Sequence, residues 1–326
     1  MLNTMLRKQL IALLTLTALT AAAAGCGGSE ESPGNTGGSG STTDKVKVGV
    51  IPIVDVAPIY LGKEQGFFAK RNIELTMEQA QGGAAIVPAV VSGQYQFGFS
   101  NVVSLMLAQS KNVPIKAVAN GNNATGDPKK DFGMLVVKDP AIKTAKDLEG
   151  KTVATNTLKN IVDTSVKQIV RQAGGDPAKV KFVEVPFPDM AAALDANRVQ
   201  AMFVVEPFLA SALAKGWTTI GAFADVDPGL CISAYFTSTQ LIQTKGDLVT
   251  RFTEAMKESL AYADANPDRV RQAVTTYTTI KTDAAAKMTL PKFSADVNTA
   301  SVEKLNGLIV TEGLLTAPAD LSKLLP

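Results

Sequence analysis

The sequence predicts an α/β protein of two lobes, each built on a doubly wound parallel sheet. Strand-like apolar segments alternate with helical segments, and short loops join them, which is typical of parallel sheets covered by helices. The chain has 326 residues, of which 46% are hydrophobic and 19% charged, enough for two hydrophobic cores. A strand at Ile232–Thr237 is interpreted as returning to the first lobe. The chain would therefore cross between the lobes near Val137 and near Ile232, forming a two-segment hinge.

The first strand–helix unit spans Lys45–Asn72. Val46–Ile53 is mostly apolar and predicts a buried strand. Pro58 predicts the first turn of a helix, because its φ angle is already set and it lacks an N–H that would be unpaired there. Gly66 ends this helix. The unit places a helix N-terminus at the carboxyl end of a strand, where open α/β sheets bind ligands.

Further segments complete the two lobes. Each is an apolar or alternating stretch bounded by glycine, proline or polar residues. In the first lobe, 45–137 and 232–326, we predict strands at Ile73–Met77, Tyr95–Phe99, Val113–Ala119 and Phe132–Val137, and a loop at Gly121–Lys130. In the second lobe, 138–231, we predict strands at Thr152–Thr155, Lys181–Val185 and Ala201–Val205, helices at Thr157–Ala173, Met190–Ala196 and Phe208–Lys215, and an end at Gly216–Trp217.

The region from Asp247 onward predicts helices that complete the first lobe. Apolar residues recur there at helical spacing, which usually marks a face packed on a core. The clearest stripe consists of Leu248, Phe252, Ala255, Met256 and Leu260.

Residues 1–26 are interpreted as a lipoprotein signal peptide. Arg7 and Lys8 precede an apolar run of about 15 residues, shorter than the roughly 20 that span a membrane. The Ala-Gly-Cys that follows resembles the lipobox of bacterial lipoproteins, so Cys26 would carry a lipid and hold an exported protein at the outer face of the cell membrane or in the periplasm. Residues 27–44 are rich in Gly, Ser and Thr and predict a flexible tether. An N-terminal anchor helix is the alternative.

Composition excludes several classes of function. The net charge is +2 without a long basic run, so nucleic acid is not an expected partner. The chain contains no histidine, which excludes a Ser-His-Asp triad, a Cys-His pair and any metal site that uses histidine. Cys231 has no basic sequence neighbour that would activate it as a nucleophile. We therefore expect a binding protein that is not an enzyme and uses no cofactor or metal.

Predicted helix N-termini at the carboxyl ends of strands define the candidate binding site. They follow Ala57, Gly83, Asn101, Asn156 and Asp189. Each offers free N–H groups and about half a unit of positive charge. A cleft lined in this way can hold an oxyanion such as sulfonate or nitrate, or the polar edge of a heterocycle.

Polar residues at the strand ends are candidate ligand contacts, and most have a structural alternative. Asp55 contacts the ligand or only forms a turn. Ser100 and Asn101 donate to the ligand or only cap their helix. Thr155 and Asn156 end a strand that faces the cleft, which favours ligand contact.

Glu206 follows the most apolar strand of the second lobe. If it is desolvated it needs a donor, because an unpaired buried carboxylate is costly. That donor is either an amine of the ligand, as in taurine or an aminopyrimidine, or a hinge or backbone group. Phe187 and Tyr235 are candidates for a stacking wall of the site, or else belong to the core.

Several short motifs, in a fixed order, give the chain a family resemblance. They are Ala57–Tyr60 (APIY) with Gln65–Phe68 (QGFF), Val91–Gly98 (VSGQYQFG), Asp147–Lys151 (DLEGK) and Glu206–Phe208 (EPF). With these motifs the chain resembles the SsuA/THI5-like (NMT1-type) substrate-binding proteins of ABC importers over about residues 46–240.

This resemblance implies the type II periplasmic-binding fold, in which two lobes close on a small molecule. The ligand would be similar to a sulfonate, nitrate, taurine or a thiamine-type pyrimidine, and it would be delivered to an ABC permease with its ATPase. A monomer suits such a closing receptor. A ligand-sensing domain for a signalling partner is the alternative function.

Overall fold

The computed structural model describes residues 42–326, so the signal peptide, Cys26 and most of the tether predicted above lie outside the described residues. Within 42–326 the chain forms two five-stranded mixed sheets with helices packed around them. Of the helices in that range, none combines the length and the apolar character that crossing a membrane demands.

The elements follow in chain order. The strands are β1 (Asp44–Val50), β2 (Ile73–Gln79), β3 (Phe97–Asn101), β4 (Ile115–Asn123), β5 (Gly133–Val137), β6 (Thr152–Thr155), β7 (Lys181–Glu184), β8 (Ala201–Val205), β9 (Thr218–Ala222) and β10 (Cys231–Ser238). The α-helices are α1 (Ala57–Glu64), α2 (Gly83–Val91), α3 (Val102–Ser110), α4 (Ile161–Gln172), α5 (Phe187–Asp195), α6 (Phe208–Leu213), α7 (Phe223–Val226), α8 (Thr239–Thr244), α9 (Gly246–Ala265), α10 (Pro267–Tyr277), α11 (Thr282–Ala285), α12 (Thr299–Thr311) and α13 (Leu321–Leu324). Short 3-10 helices lie at Val54–Val56, Ala69–Arg71, Ala145–Leu148 and Pro177–Lys179.

The first sheet has the strand order β2-β1-β3-β10-β4. β1 is parallel to β2 and β3, with Val48 opposite Met77 on one side and Phe97 on the other. β10 is antiparallel to β3 and β4, so the sheet is mixed rather than wholly parallel. The prediction that the strand near Ile232 returns to this sheet is confirmed. The predicted α9 stripe is buried as well, and its Phe252 ring stacks on Phe97 with 3.7 Å between centroids.

The second sheet has the strand order β7-β6-β8-β5-β9. β6 is parallel to β7 and β8, whereas β5 is antiparallel to β8 and β9. The segment predicted at Phe132–Val137 therefore belongs to this sheet and not to the first lobe, because β5 pairs Gly133 with Val205. The chain passes from the first sheet to the second within 124–132 and returns within 227–230. The second unit also does not end at Gly216–Trp217, since β9 and α7 follow.

The fourth strand extends beyond its predicted end at Ala119, into the segment predicted as a loop. Its last residues include the buried side chains of Asn120, Asn122 and Asn123. The Asn120 Nδ2 donates to Asn123 Oδ1 at 2.9 Å, and the Ser233 hydroxyl of β10 bonds to Asn122 Oδ1. These partners satisfy polar groups that would otherwise be expected in a loop, so the strand continues to the point where the chain leaves the sheet.

Two helices of the second unit begin at other residues than predicted. α4 starts at Ile161 instead of Thr157, because Asn160 caps it by accepting from the N–H groups of Val162 at 2.8 Å and Asp163 at 3.3 Å. α5 starts at Phe187, so Asp189 lies within its first turn rather than ahead of it.

Candidate functional site

The two sheets meet at a small space that we call the inner cavity, with a volume of about 40 Å³. Its walls come from both sheets. Asp55, Phe99 and Asn101 line it from the first, and Asn156, Asn160 and Phe187 from the second. Phe99 lies in the middle of β3. The other residues lie at or just beyond strand ends or at helix N-termini, as expected for a site at the carboxyl edge of an α/β sheet.

A larger space, which we call the outer pocket, has a volume of about 320 Å³. It shares Ile51, Ile53 and Phe187 with the inner cavity as common walls. The Phe187 and Phe208 rings stack with 5.7 Å between centroids and form one side of it. Together the two spaces reach the usual size of a small-molecule site, with mostly apolar walls and a few polar groups.

Asp55 is the least satisfied polar side chain of the inner cavity. Its side chain is buried, and its Oδ2 makes no hydrogen bond within the described part of the chain. Burial is the main reason that its pKa is raised from 3.8 to about 7; the Asp131 charge also raises the pKa, while its own backbone N–H and the Asn122 amide lower it. Among the described residues Asn122 Nδ2 has no hydrogen bond of normal geometry either. The cavity thus contains an acceptor whose neighbouring donor, the Asn122 amide, does not form a well-aligned hydrogen bond with it.

Asn101 and Asn156 line the inner cavity but already have partners in the protein. Asn101 caps α3, since its Oδ1 accepts from Ser104 N at 2.9 Å. Asn156 Oδ1 accepts from Asn160 Nδ2 at 2.9 Å, and its Nδ2 donates across to the Gln81 carbonyl at 3.4 Å. The last bond is long, so this amide is the more readily available to a ligand.

Six other predicted contacts do not line the inner cavity: Ala57, Gly83, Ser100, Thr155, Glu206 and Tyr235. Ala57 is buried as the first residue of α1. Gly83 packs on Ser100 so closely that a Cβ there would lie 1.9 Å from the Ser100 hydroxyl. The Thr155 hydroxyl donates to the Thr157 carbonyl at 3.0 Å and holds the loop before α4. These residues lie behind the residues that line the cavity and support them.

Tyr235 also lies behind the cavity, in the core of the first sheet. Its ring meets Phe99 edge to face at 5.3 Å between centroids. Its hydroxyl has no hydrogen-bond partner in the part of the chain that the structure describes, and burial raises its pKa well above the usual value. The Phe99 ring contributes to the wall of the cavity, so Tyr235 acts on the site through packing.

Glu206 has the backbone donors that were one of its two predicted alternatives. Its Oε2 accepts from Ala210 N at 2.9 Å, and its Oε1 accepts from Thr289 N at 3.1 Å. Burial raises its pKa to about 7, and these two bonds and the more distant Arg271 charge lower it. The two carboxylate oxygens therefore join the N-terminus of α6 to Thr289, which lies in the segment between α11 and α12.

Sequence reasoning missed several residues of the site. Asn160 and Phe223 line the inner cavity, and the buried Asp131 lies next to Asp55. Asn160 followed by Asp163 is a capping-box spacing, and this signal would have located the start of α4. Asp131 and Phe223 carry no such local signal, because only the passage of the chain between the sheets brings them to the cavity.

The described residues give no evidence for a metal ion or a reactive thiol at this site. Among the described residues, no group of three or more His, Cys, Asp and Glu side chains is placed to hold a metal ion. Cys231 is buried, and burial raises the pKa of its thiol to about 12, so it is protonated at neutral pH.

Comparisons with known proteins agree with this architecture. The nitrate/nitrite binding protein NrtA of Nostoc sp. is 27% identical over 182 residues, which is 51% of this chain but only 41% of that protein. The alkanesulfonate-binding protein SsuA of Xanthomonas axonopodis pv. citri, bound to MOPS, superposes with a TM-score of 0.75 at 14% identity, covering 88% of this chain and 99% of that one.

Another solved structure is the ligand-binding component of an ABC-type import system from Staphylococcus aureus, with zinc bound. It gives a TM-score of 0.76 at 16% identity and covers 87% of this chain and 96% of that one. At these identities the likeness shows the fold, which is that of periplasmic binding proteins. A sequence model described as NMT1/THI5 like matches residues 53–270, about two thirds of the chain. The chain therefore belongs to the NMT1/THI5-like family.

Proposed function

We propose that this protein is the solute-binding component of an ABC importer. It captures a small molecule in the inner cavity and outer pocket and delivers it to a permease. The observation that carries this proposal is the position of the two spaces, whose walls come from both sheets. Relatives named as nitrate/nitrite, alkanesulfonate and ABC-import binding proteins support the same role. Family membership and the protonated, buried Cys231 favour binding over catalysis.

Four of the predicted residues are proposed as ligand contacts: Asp55, Asn101, Asn156 and Phe187. They are the predicted residues that line the inner cavity, and they include polar groups from both sheets. A ligand that bonds to both sides would favour the closed arrangement of the two sheets, because closure would bury it between preformed walls. Asn160 joins this set as a contact that the sequence did not suggest.

Segments 124–132 and 227–230 are proposed as the hinge between two lobes. Both lead directly from one sheet to the other. Asp131 forms hydrogen bonds in this region. Its Oδ1 accepts from Thr125 N at 3.1 Å, within segment 124–132, and its Oδ2 accepts from Ala224 N at 2.8 Å, just before segment 227–230. Bending at these segments would open the cavity without breaking either sheet.

Export and anchoring are proposed from the N-terminal sequence. The basic, apolar and Ala-Gly-Cys segments support a signal peptide and a lipid on Cys26, at the outer face of the membrane. A monomer on a flexible tether suits a receptor that must meet a permease.

The function is tested by identifying a ligand. Native mass spectrometry of gently purified protein should show an added small-molecule mass, and the released compound should raise the melting temperature when it is returned to the stripped protein. Cells that lack the gene should take up that compound more slowly than cells that carry it. Protein that never carries a ligand, together with unchanged uptake, would refute the importer role.

A further inference from the structure

The chemistry of the inner cavity is acidic rather than anion-binding. Asp55 lines it with an Oδ2 that has no partner among the described residues, although the side chain is 2% exposed. We infer that the ligand presents an N–H group, of the amino or amidine type, to Asp55. This inference rests on the proposed function and gives its ligand a chemical class.

The one carboxyl that lines the cavity, that of Asp55, opposes a bare oxyanion. Asp131 and Asp163 do not line the cavity, and their oxygens accept backbone N–H groups. The residues that line the cavity include neither Lys nor Arg. A nitrate or sulfonate placed here would meet the Asp55 carboxyl without a cation among the lining residues, which is an unfavourable arrangement in a desolvated site.

Two of the helix N-termini at the site are capped by the protein's own side chains, whereas α1, α2 and α5 begin without a side-chain cap. Asn101 Oδ1 accepts from the Ser104 N–H of α3 at 2.9 Å. Asn160 Oδ1 accepts from the Val162 N–H of α4 at 2.8 Å. A ligand oxyanion would have to displace these two caps or share their donors, so the N-termini of α3 and α4 favour an anion less than free N-termini would. The acceptor on Asp55, in contrast, is available.

A ligand N–H would remove the main polar defect of the site. A buried acceptor without a donor costs free energy, and a donor that reaches it recovers that cost, most strongly when the pair is charge-assisted. Asp131 cannot play this part, because its two oxygens already accept from Thr125, Phe132 and Ala224 N–H groups. Recognition of the donor therefore depends on Asp55.

The sizes of the two spaces divide the ligand into a head and a body. The inner cavity of about 40 Å³ has room for a few waters or one small polar group. The outer pocket of about 320 Å³ is walled by Ile51, Ile53 and the stacked Phe187 and Phe208. The N–H head would reach Asp55, and a flat or apolar body would lie between these walls.

Matched pairs of probes test the inference by isothermal titration calorimetry on the stripped protein. One pair is taurine and ethanesulfonate, another is 4-aminopyrimidine and pyrimidine, and nitrate is the simple oxyanion. The amino member of a pair should bind about tenfold or more tightly than its partner, and Asp55→Asn should remove that difference. Asp296→Asn, which neutralises an exposed carboxyl that lines neither the inner cavity nor the outer pocket, is the matched control and should leave the difference in place.

The outcomes separate the ligand class from the function. Nitrate or ethanesulfonate that binds as tightly as the amino probes overturns the inference and keeps the receptor role. Affinity for the amino probes that Asp55→Asn leaves unchanged or improves has the same consequence. If none of the probes binds, the compound found by native mass spectrometry is tested instead. A compound with an N–H group that binds less tightly to Asp55→Asn than to wild type supports the inference. Any other compound overturns it. If none of the probes binds and the purified protein carries no compound, the receptor role is overturned as well.

Discussion

The backbone N–H of Val54 donates to the carbonyl oxygen of Glu206 at 3.0 Å and so joins the end of β1 to the end of β8. This bond connects the two sheets directly beside Asp55. Because Glu206 is itself held by Ala210 and Thr289, the strand end that carries it has little freedom. The bond thus joins the two walls of the cavity and would have to break if the walls separated at this point.

The first prediction concerns the pH dependence of stability. The folded-state pKa of Asp55 is raised from 3.8 to about 7, so the folded protein binds the proton more tightly than the unfolded chain does. The free energy of unfolding should therefore fall as pH rises from about 4 to about 7, by roughly 2–4 kcal/mol from this group. Glu206, whose pKa is also raised to about 7, acts in the same direction.

Urea unfolding of the stripped protein between pH 4 and pH 8, in wild type and Asp55→Asn, measures this effect. The variant should lose much of the slope and be more stable than wild type at pH 8, because no buried charge forms. Asp189→Asn should keep the wild-type slope, since Asp189 is exposed. Parallel wild-type and Asp55→Asn curves would contradict the prediction.

The second prediction concerns the contact between Gly83 and Ser100. A Cβ at position 83 would lie 1.9 Å from the Ser100 Oγ and 2.7 Å from its Cα, so the backbone must shift. Gly83→Ala should lower the free energy of unfolding by about 1–3 kcal/mol. Gly307→Ala in α12, where a Cβ meets nothing within 4 Å, should be neutral or slightly stabilising. Equal melting temperatures for the two variants would show that the close contact is not maintained in solution.

The third prediction concerns the two backbone donors on Glu206. Glu206→Ala leaves the N–H groups of Ala210 and Thr289 without their acceptor and should cost about 2–4 kcal/mol. Glu206→Gln retains one oxygen but turns an NH₂ toward the other donor, so its cost should be intermediate. Chemical denaturation of the three proteins gives this order. A glutamine variant less stable than the alanine variant would contradict it.

The fourth prediction concerns the buried thiol. In a Cys26→Ala variant Cys231 is the one remaining cysteine. Because its side chain is buried and its pKa is raised to about 12, a thiol reagent at pH 8 should not label it in the native protein. The same reagent in urea should label it fully. Rapid labelling without denaturant would show that the β10 core opens readily.

Local sequence patterns located the elements whose stability is local. The alternation through β1, Pro58 in the first turn of α1 and the apolar stripe of α9 each depend on a few neighbouring residues, and the structure contains them as predicted. The family motifs led to the fold that the comparisons show. The sequence indicated that Glu206 needs donors if it is buried and left the identity of those donors open; the side chain is buried, and its donors are backbone N–H groups.

The amino-acid sequence by itself determined the α/β class, the return of β10 to the first sheet and the absence of histidine chemistry, because periodicity and composition are properties of the chain. Only the tertiary structure decided that β5 joins the second sheet, that the asparagines of β4 are buried, and that Asp55 Oδ2 has no hydrogen-bond partner within 42–326. Each of these depends on which distant residue supplies a hydrogen bond or a charge. Pairing of that kind is set by the packing of whole elements, which no local pattern records.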